Sequence, residues 1–279
     1  MVFGSSVGSA PKRIEQRRVA TEDDPSTRKD TESTMAMIRA YHRPTTLQEA
    51  LDLVARPGTV PLGGGTVLNG LPNDPPEEVV DLQALELDAI SLDGAMLTLG
   101  AMATLRDLVD HDATPVLLRD LAQREAPNTI RNAATIGGTV AAAGSESGFL
   151  AGLLASSAVV AIAQADGTKE VALSDLLADR LNAGSIITSV RVGLGGNAAF
   201  EFTARTPADI PIVLVAGTRS EEGTVVLVAT GVAPEPVVFD LDQVDALEPP
   251  PDFRGSAEYR RHLATVLGGR VVARLEAAS

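Results

Sequence analysis

Apolar and polar positions first fall into a pattern at Ile38. Residues 38–43 alternate as a short strand, Pro44 ends it, and Thr46-Leu47-Gln48-Glu49 has the spacing of a capping box. Ala50, Leu51, Leu53 and Val54 give the following helix one apolar face. Gly58 stands past its end, and residues 59–62 form a strand that runs into Gly63-Gly64-Gly65. Short strands are predicted over 78–82, 89–92 and 95–101, the last two joined by an Asp93-Gly94 turn. Helices follow over 104–110 and 115–125, then a second glycine loop within 128–143 that is expected to sit, like the first, after an apolar strand. A helix over 148–155, a buried strand over 158–165 and a strand over 186–192 complete this stretch.

The texture changes at Gly193-Leu194-Gly195-Gly196-Asn197, the best linker candidate. Three strand candidates, 198–205, 210–219 and 224–231, follow with short turns, as an antiparallel meander does. Residues 246–255 are Pro-rich, and a last helix over 256–278 carries Leu263, Val266, Leu267, Val271 and Leu275 at helical spacing. Residues 1–36 show no period and are read as a disordered polar tail. The expected fold is α+β: a larger domain over 37–194 and a smaller one, an antiparallel sheet plus helix, over 197–277.

Composition narrows the chemistry. At 279 residues the chain is long enough for one large or two modest domains. Aromatics make up only 3%, with no Trp, so the core must be aliphatic. The net charge of −14 makes nucleic acid a poor partner, and any bound phosphate must be held by backbone amides rather than by a basic field. The absence of Cys excludes thiolate nucleophiles and Cys-ligated zinc or iron–sulfur clusters within this chain. No stretch approaches the roughly 20 apolar residues of a membrane span, and a cytoplasmic location is expected.

Glycines let consecutive N–H groups point into one concavity, and such nests bind anionic oxygens. Gly63-Gly64-Gly65-Thr66, with a short helical turn expected over 66–69, makes one cradle; Thr135-Ile136-Gly137-Gly138-Thr139 makes a second. Neither holds the Lys of a Walker loop, and neither has the spacing of a Rossmann fingerprint. Two such loops suit a pyrophosphate that is held and never cleaved, as in a dinucleotide cofactor.

With these loops the sequence resembles the medium, FAD-binding subunits of molybdenum hydroxylases such as xanthine dehydrogenase and aerobic carbon monoxide dehydrogenase. The resemblance runs from Tyr41 to Leu275. It is carried by Tyr41-His42-Arg43-Pro44, Pro61-Leu62-Gly63-Gly64-Gly65-Thr66, Leu99-Gly100-Ala101-Met102-Ala103-Thr104, Ile130-Arg131-Asn132-Ala133-Ala134-Thr135-Ile136-Gly137-Gly138, and Ile186–Val192 in the order expected, and by Gly231-Val232-Ala233-Pro234 and Ser256-Ala257-Glu258-Tyr259 in the smaller domain. It implies a PCMH-type FAD-binding domain of two α/β subdomains and a carbon monoxide dehydrogenase flavoprotein-like C-terminal domain. It implies electron flow from a large molybdopterin subunit, through a small 2Fe–2S subunit, to FAD, and on to NAD⁺ or another acceptor. The FAD contacts it implies are Leu62, Gly63, Gly64, Gly65, Thr66, Val67, Thr135, Ile136, Gly137, Gly138 and Thr139, with Ile187 packing on the cofactor.

The sequence departs from the family at Val67, where Asp or Ser is usual, at Thr139, where Asn is usual, at Gly148, where Asp is usual, and near Glu201 and Phe202, where a Lys is usual. A structural subunit of the same complex with weakened or lost FAD binding is therefore the alternative. His42, His111 and His262 lie at no metal-ligand spacing, Asp209 is read as structural, and Phe149 as core. No acid–base set stands out, as expected where the redox chemistry belongs to a cofactor.

Overall fold

The chain builds three sheets. A computed structural model describes residues 38–68, 78–206 and 209–278; the polar tail and the far end of the turn expected at 66–69 lie outside them. The first sheet is parallel, with β3 (Glu78–Asp81) between β1 (Ala40–His42) and β2 (Thr59–Leu62). It is covered by α1 (Leu47–Val54), whose Ala50, Leu51, Leu53 and Val54 are buried as the pattern predicts. Thr46 caps this helix through Glu49 N–H, but the Glu49 carboxylate reaches the N–H of Thr45 instead of closing the box.

The second sheet is antiparallel, in the order β4 (Ile90–Asp93), β5 (Met96–Gly100), β8 (Ile186–Gly193), β6 (Val159–Gln164), β7 (Gly167–Ala172). Strand β7 and helix α7 (Leu173–Asp179) were not foreseen: β7 is an exposed edge with no apolar alternation to mark it. One face of this sheet meets α2 (Leu105–Asp110), α3 (Val116–Glu125), α5 (Ile136–Ala142) and α6 (Gly148–Ala155) in one core. Every residue of α6 after Gly148 is buried, so its sequence shows no polar face.

The third sheet runs β12 (Val237–Val238), β11 (Val225–Thr230), β10 (Val213–Arg219), β9 (Asn197–Thr203). Strand β10 is buried on both faces, which is why it reads as an unbroken apolar run. Leu214 and Ala216 join the core of α3 and α6. Val213 and Val215 pack against α8 (Ala257–Ala277), whose Leu263, Leu267, Val271 and Leu275 form the other wall. The four-stranded sheet is thus the middle layer between α6 and α8. No helix among the described residues is long and apolar enough to cross a membrane.

Candidate functional site

Leu62 ends β2, and its carbonyl accepts the N–H of Leu82, so the chain leaves the parallel sheet at Gly63. There it meets the second glycine segment. A Cβ on Gly64 would lie 1.5 Å from the carbonyl oxygen of Ala133, and one on Gly63 would lie 2.7 Å from Thr135 Oγ1. Only glycine allows the two backbones to come this close. Gly65, at φ +70°, turns the chain away again. The N–H groups of Gly63, Gly64, Gly65 and Thr66 find no hydrogen-bond partner among the described residues.

The second segment differs from its sequence reading. It does not follow a strand and is not a loop. It follows the single helical turn α4 (Asn128–Arg131), and Gly137 and Gly138 lie inside the first turn of α5. Thr135 is the N-cap of that helix and forms an isolated antiparallel bridge with Thr104. The first-turn amides are already engaged: Ile136 N–H donates to Ala103 O at 2.9 Å, Gly137 to Ala101 O at 2.8 Å, and Gly138 to Thr135 Oγ1 at 3.1 Å. Gly137 is a glycine for packing, since its Cβ would lie 2.8 Å from that of Ala101. The amides of α5 are therefore spent, and the free backbone donors lie in the first segment and, among the described residues of the second, at the Thr135 N–H.

The threonines also divide. Thr139 Oγ1 donates its one hydrogen to Thr135 O at 3.0 Å, which leaves it acceptor capacity only. Thr135 Oγ1 accepts from Gly138 N–H and keeps its own hydrogen, so this hydroxyl can still donate into the cleft.

The two segments enclose a cleft of about 230 Å³. Gly63, Gly64, Gly65, Thr66, Val67, Thr135, Gly138 and Thr139 line it as expected; Pro61, Leu68, Ala141 and Ala142 line it without having been foreseen. Leu62, Ile136, Gly137 and Ile187 are not part of its wall. Ile136 is fully buried, and Ile187 lies in the core at 5% exposure, paired across β8–β6 with Ile162. The expectation that Ile187 packs on a cofactor has no counterpart in this cleft: β8 turns that side chain inward. Among the described residues, no charged side chain lines the cleft. Its free amides and hydroxyl suit a phosphodiester, whose charge is low and spread. The volume suits only part of a dinucleotide, since sites that take whole ligands of drug size span roughly 300–1,000 Å³.

A second cavity, about 490 Å³, opens beyond the connector 143–147, where Glu146 and Gly148 form part of its wall. Glu125, at the end of α3, reaches into it and accepts the N–H of Phe149 at 3.0 Å. Burial pushes the Glu125 carboxyl above its ordinary range, against the opposing hydrogen bonds from Ser147, Phe149 and Gly148. Nothing in the sequence marked Glu125, because its partners come from a different helix. Ser147 caps α6 through Leu150 N–H at 3.0 Å, and Phe149 is fully buried core.

The Pro-rich segment is tied to the connector through Glu146. Arg254 pairs with Glu146 and with Asp252, and Arg260, 1% exposed, donates to the carbonyls of Ile212 and Gly231 and to Asp252 Oδ1 at 2.7 Å. Arg260 holds the Asp252 carboxyl well below the usual carboxylate range.

Residues 33–195 match the family described as the FAD binding domain in molybdopterin dehydrogenase. An uncharacterized protein of Escherichia coli K12, YgfM, is 29% identical over 250 residues, which cover 83% of this chain and 94% of that one. The glyceraldehyde dehydrogenase medium chain of Sulfolobus acidocaldarius is 25% identical over 266 residues, 82% and 95% of the two chains. Among solved structures, a chain of the reconstituted CO dehydrogenase from Oligotropha carboxidovorans is similar with a TM-score of 0.77 at 26% identity, over 86% of this chain and 98% of that one. A chain of the carbon monoxide dehydrogenase from Hydrogenophaga pseudoflava shares the fold, with a TM-score of 0.79 at 23% identity over 85% and 97%.

Proposed function

Since the chain belongs to the FAD-binding family of molybdopterin dehydrogenases, whose members are oxidoreductase subunits, we propose that it is the flavin-carrying medium subunit of a multi-subunit molybdenum hydroxylase. In this reading it receives electrons from the 2Fe–2S clusters of a small partner, which a large molybdopterin partner reduces, and delivers them to NAD⁺ or another acceptor in the cytoplasm. Residues 37–194 form the FAD-binding part, and residues 197–277 form the smaller domain that closes on it.

The observation that carries the reading is the contact of the two glycine segments around one cleft, lined among the described residues by uncharged side chains. Bound there, FAD supplies the redox chemistry. The protein supplies position. The amides of Gly63 to Thr66 and the hydroxyls of Thr66 and Thr135 would hold the pyrophosphate, and Gly138 lets the Thr135 hydroxyl sit close over the start of α5. The remainder of the dinucleotide needs more room than this cleft has, and the cavity beyond the 143–147 connector offers it.

One observation favours a second reading, a structural subunit that no longer holds FAD. The α5 amides are satisfied within the protein, so the second segment offers the cradle Thr135 alone. The absorption spectrum of the purified chain separates the two. Flavin bands near about 370 and 450 nm, native or after adding FAD, support the first reading. A chain that stays colourless and does not quench the fluorescence of added FAD supports the second.

A further inference from the structure

The second cavity contains a titratable group that the cradle does not use. The Glu125 carboxyl sits at the start of α6, bonded to Phe149 N–H and facing the cavity beside Gly148. Other charged groups nearby have partners of their own. On α4, Arg131 donates to the carbonyls of Gln123 and Ala126 at 2.8 and 2.6 Å. On α3, the Arg124 guanidinium lies over the Phe202 ring at 4.2 Å. On the connector, Glu146 is paired with Arg254. On the segment after β9, Asp209 is 3.5 Å from Arg205. Among the described residues no cation is paired with Glu125, and its charge meets the amides at the α6 N-terminus and the Ser147 hydroxyl.

We propose that Glu125 is a positioning residue for the end of the dinucleotide that lies beyond the cradle, and that it takes up one proton from solvent when the bound cofactor covers it. The inference rests on the function proposed above. An ionised carboxylate with no cation partner stays charged only while water reaches it. Covering it with an apolar ring system removes that water and favours the neutral form. The neutral carboxyl then keeps one oxygen as acceptor for Phe149 N–H and gains an O–H to donate to a ring nitrogen or carbonyl. The balance is simple: carboxylate plus one proton gives carboxylic acid, with no electron moved. The direction of the resting shift fits, because burial already favours the neutral form before any ligand arrives.

Proton uptake by one group makes cofactor affinity fall with rising pH, by up to about tenfold per pH unit where the linkage is complete. The test is a titration of the cofactor-free full chain with FAD by calorimetry, over about pH 5.5–8.5 and in buffers of different ionisation enthalpy. The expected result is net proton uptake by the wild type and a dissociation constant that rises with pH. Glu125→Gln shows neither and binds at every pH about as tightly as the wild type does at low pH. FAD binding without proton uptake in the wild type overturns the inference while leaving the proposed function intact. A slope that persists in Glu125→Gln overturns it as well. Failure of the wild-type chain to bind FAD at any pH overturns the proposed function, and this inference with it. The wild-type measurement decides the matter even if the variant does not fold.

Discussion

Substituting Gly64 by Ala separates the role of the first loop from that of the fold. The new Cβ would lie 1.5 Å from the Ala133 oxygen and 2.4 Å from its carbon. Reaching an ordinary contact of 3.4 Å requires a withdrawal of about 1.9 Å (3.4 − 1.5). Ala133 is held by its N–H bond to Ile130 O at 3.0 Å, whereas the N–H groups on the loop side have no described partner, so the loop is the part that moves. Overpacking of this kind costs about 1–3 kcal/mol, and each kcal/mol lowers the Tm of a chain this size by about 2–4 °C. A shift near 2 Å carries a loop amide beyond the roughly 3.2 Å limit of an N–H···O bond. Each charge-assisted bond lost removes about 1.5–3 kcal/mol, or roughly a 10- to 150-fold loss of FAD affinity. Fluorescence titration with FAD, beside a thermal melt, reads both effects. Gly94→Ala is the control: Gly94 has φ +57° with nothing within 4 Å of its Cβ, so it loses about 1–2 kcal/mol of stability and no FAD affinity. A folded Gly64→Ala protein that binds FAD as the wild type does would refute the assignment of the cradle.

Thr135→Val should weaken FAD binding by about tenfold or more, because it removes a hydroxyl hydrogen still free to donate into the cleft, and should cost about 1 kcal/mol through loss of the α5 cap. Thr139→Val should change FAD affinity little, since its hydrogen is already given to Thr135 O; equal losses in the two variants would contradict the donor assignment. The raised carboxyl of Glu125 also sets a pH dependence of stability. Between the ordinary 4.5 and its folded value the native state holds more protons than the unfolded one, so stability falls as pH rises through that window and is flat above it. Glu125→Gln should lack this fall in denaturant melts across the window, and an unchanged pH profile would count against the burial argument. Arg260→Met should destabilise by about 3–5 kcal/mol in urea unfolding, because it strands the carbonyls of Ile212 and Gly231 and leaves Asp252 without its main partner.

Local pattern was enough for the elements that bury one face. The α1 stripe, the Asp93-Gly94 turn and the meander of β9 to β11 were legible because a 3.6- or 2-residue period survives in the sequence wherever one side faces water. Both glycine segments were legible too, because close backbone approach leaves glycine as a visible mark. What the sequence could not show is why each glycine is there. Gly64 makes room for a carbonyl of another segment, Gly137 for Ala101, and Gly138, in the cleft wall, for the Thr135 hydroxyl that caps its own helix. Whether a first-turn amide points at a ligand or at a carbonyl of the chain depends on which strand lies behind it. In α5 the backbone of Ala101 and Ala103 takes those donors. Glu125 and its cavity were invisible for the same reason. An acidic residue at a helix end is ordinary in sequence, and becomes a partly desolvated, proton-linked group only when the N-terminus of α6 is packed against it. The sequence by itself determined which segments can approach closely and that phosphate must be met without cations. Tertiary packing alone decided which donors remain free, because hydrogen-bond capacity is spent between residues far apart along the chain.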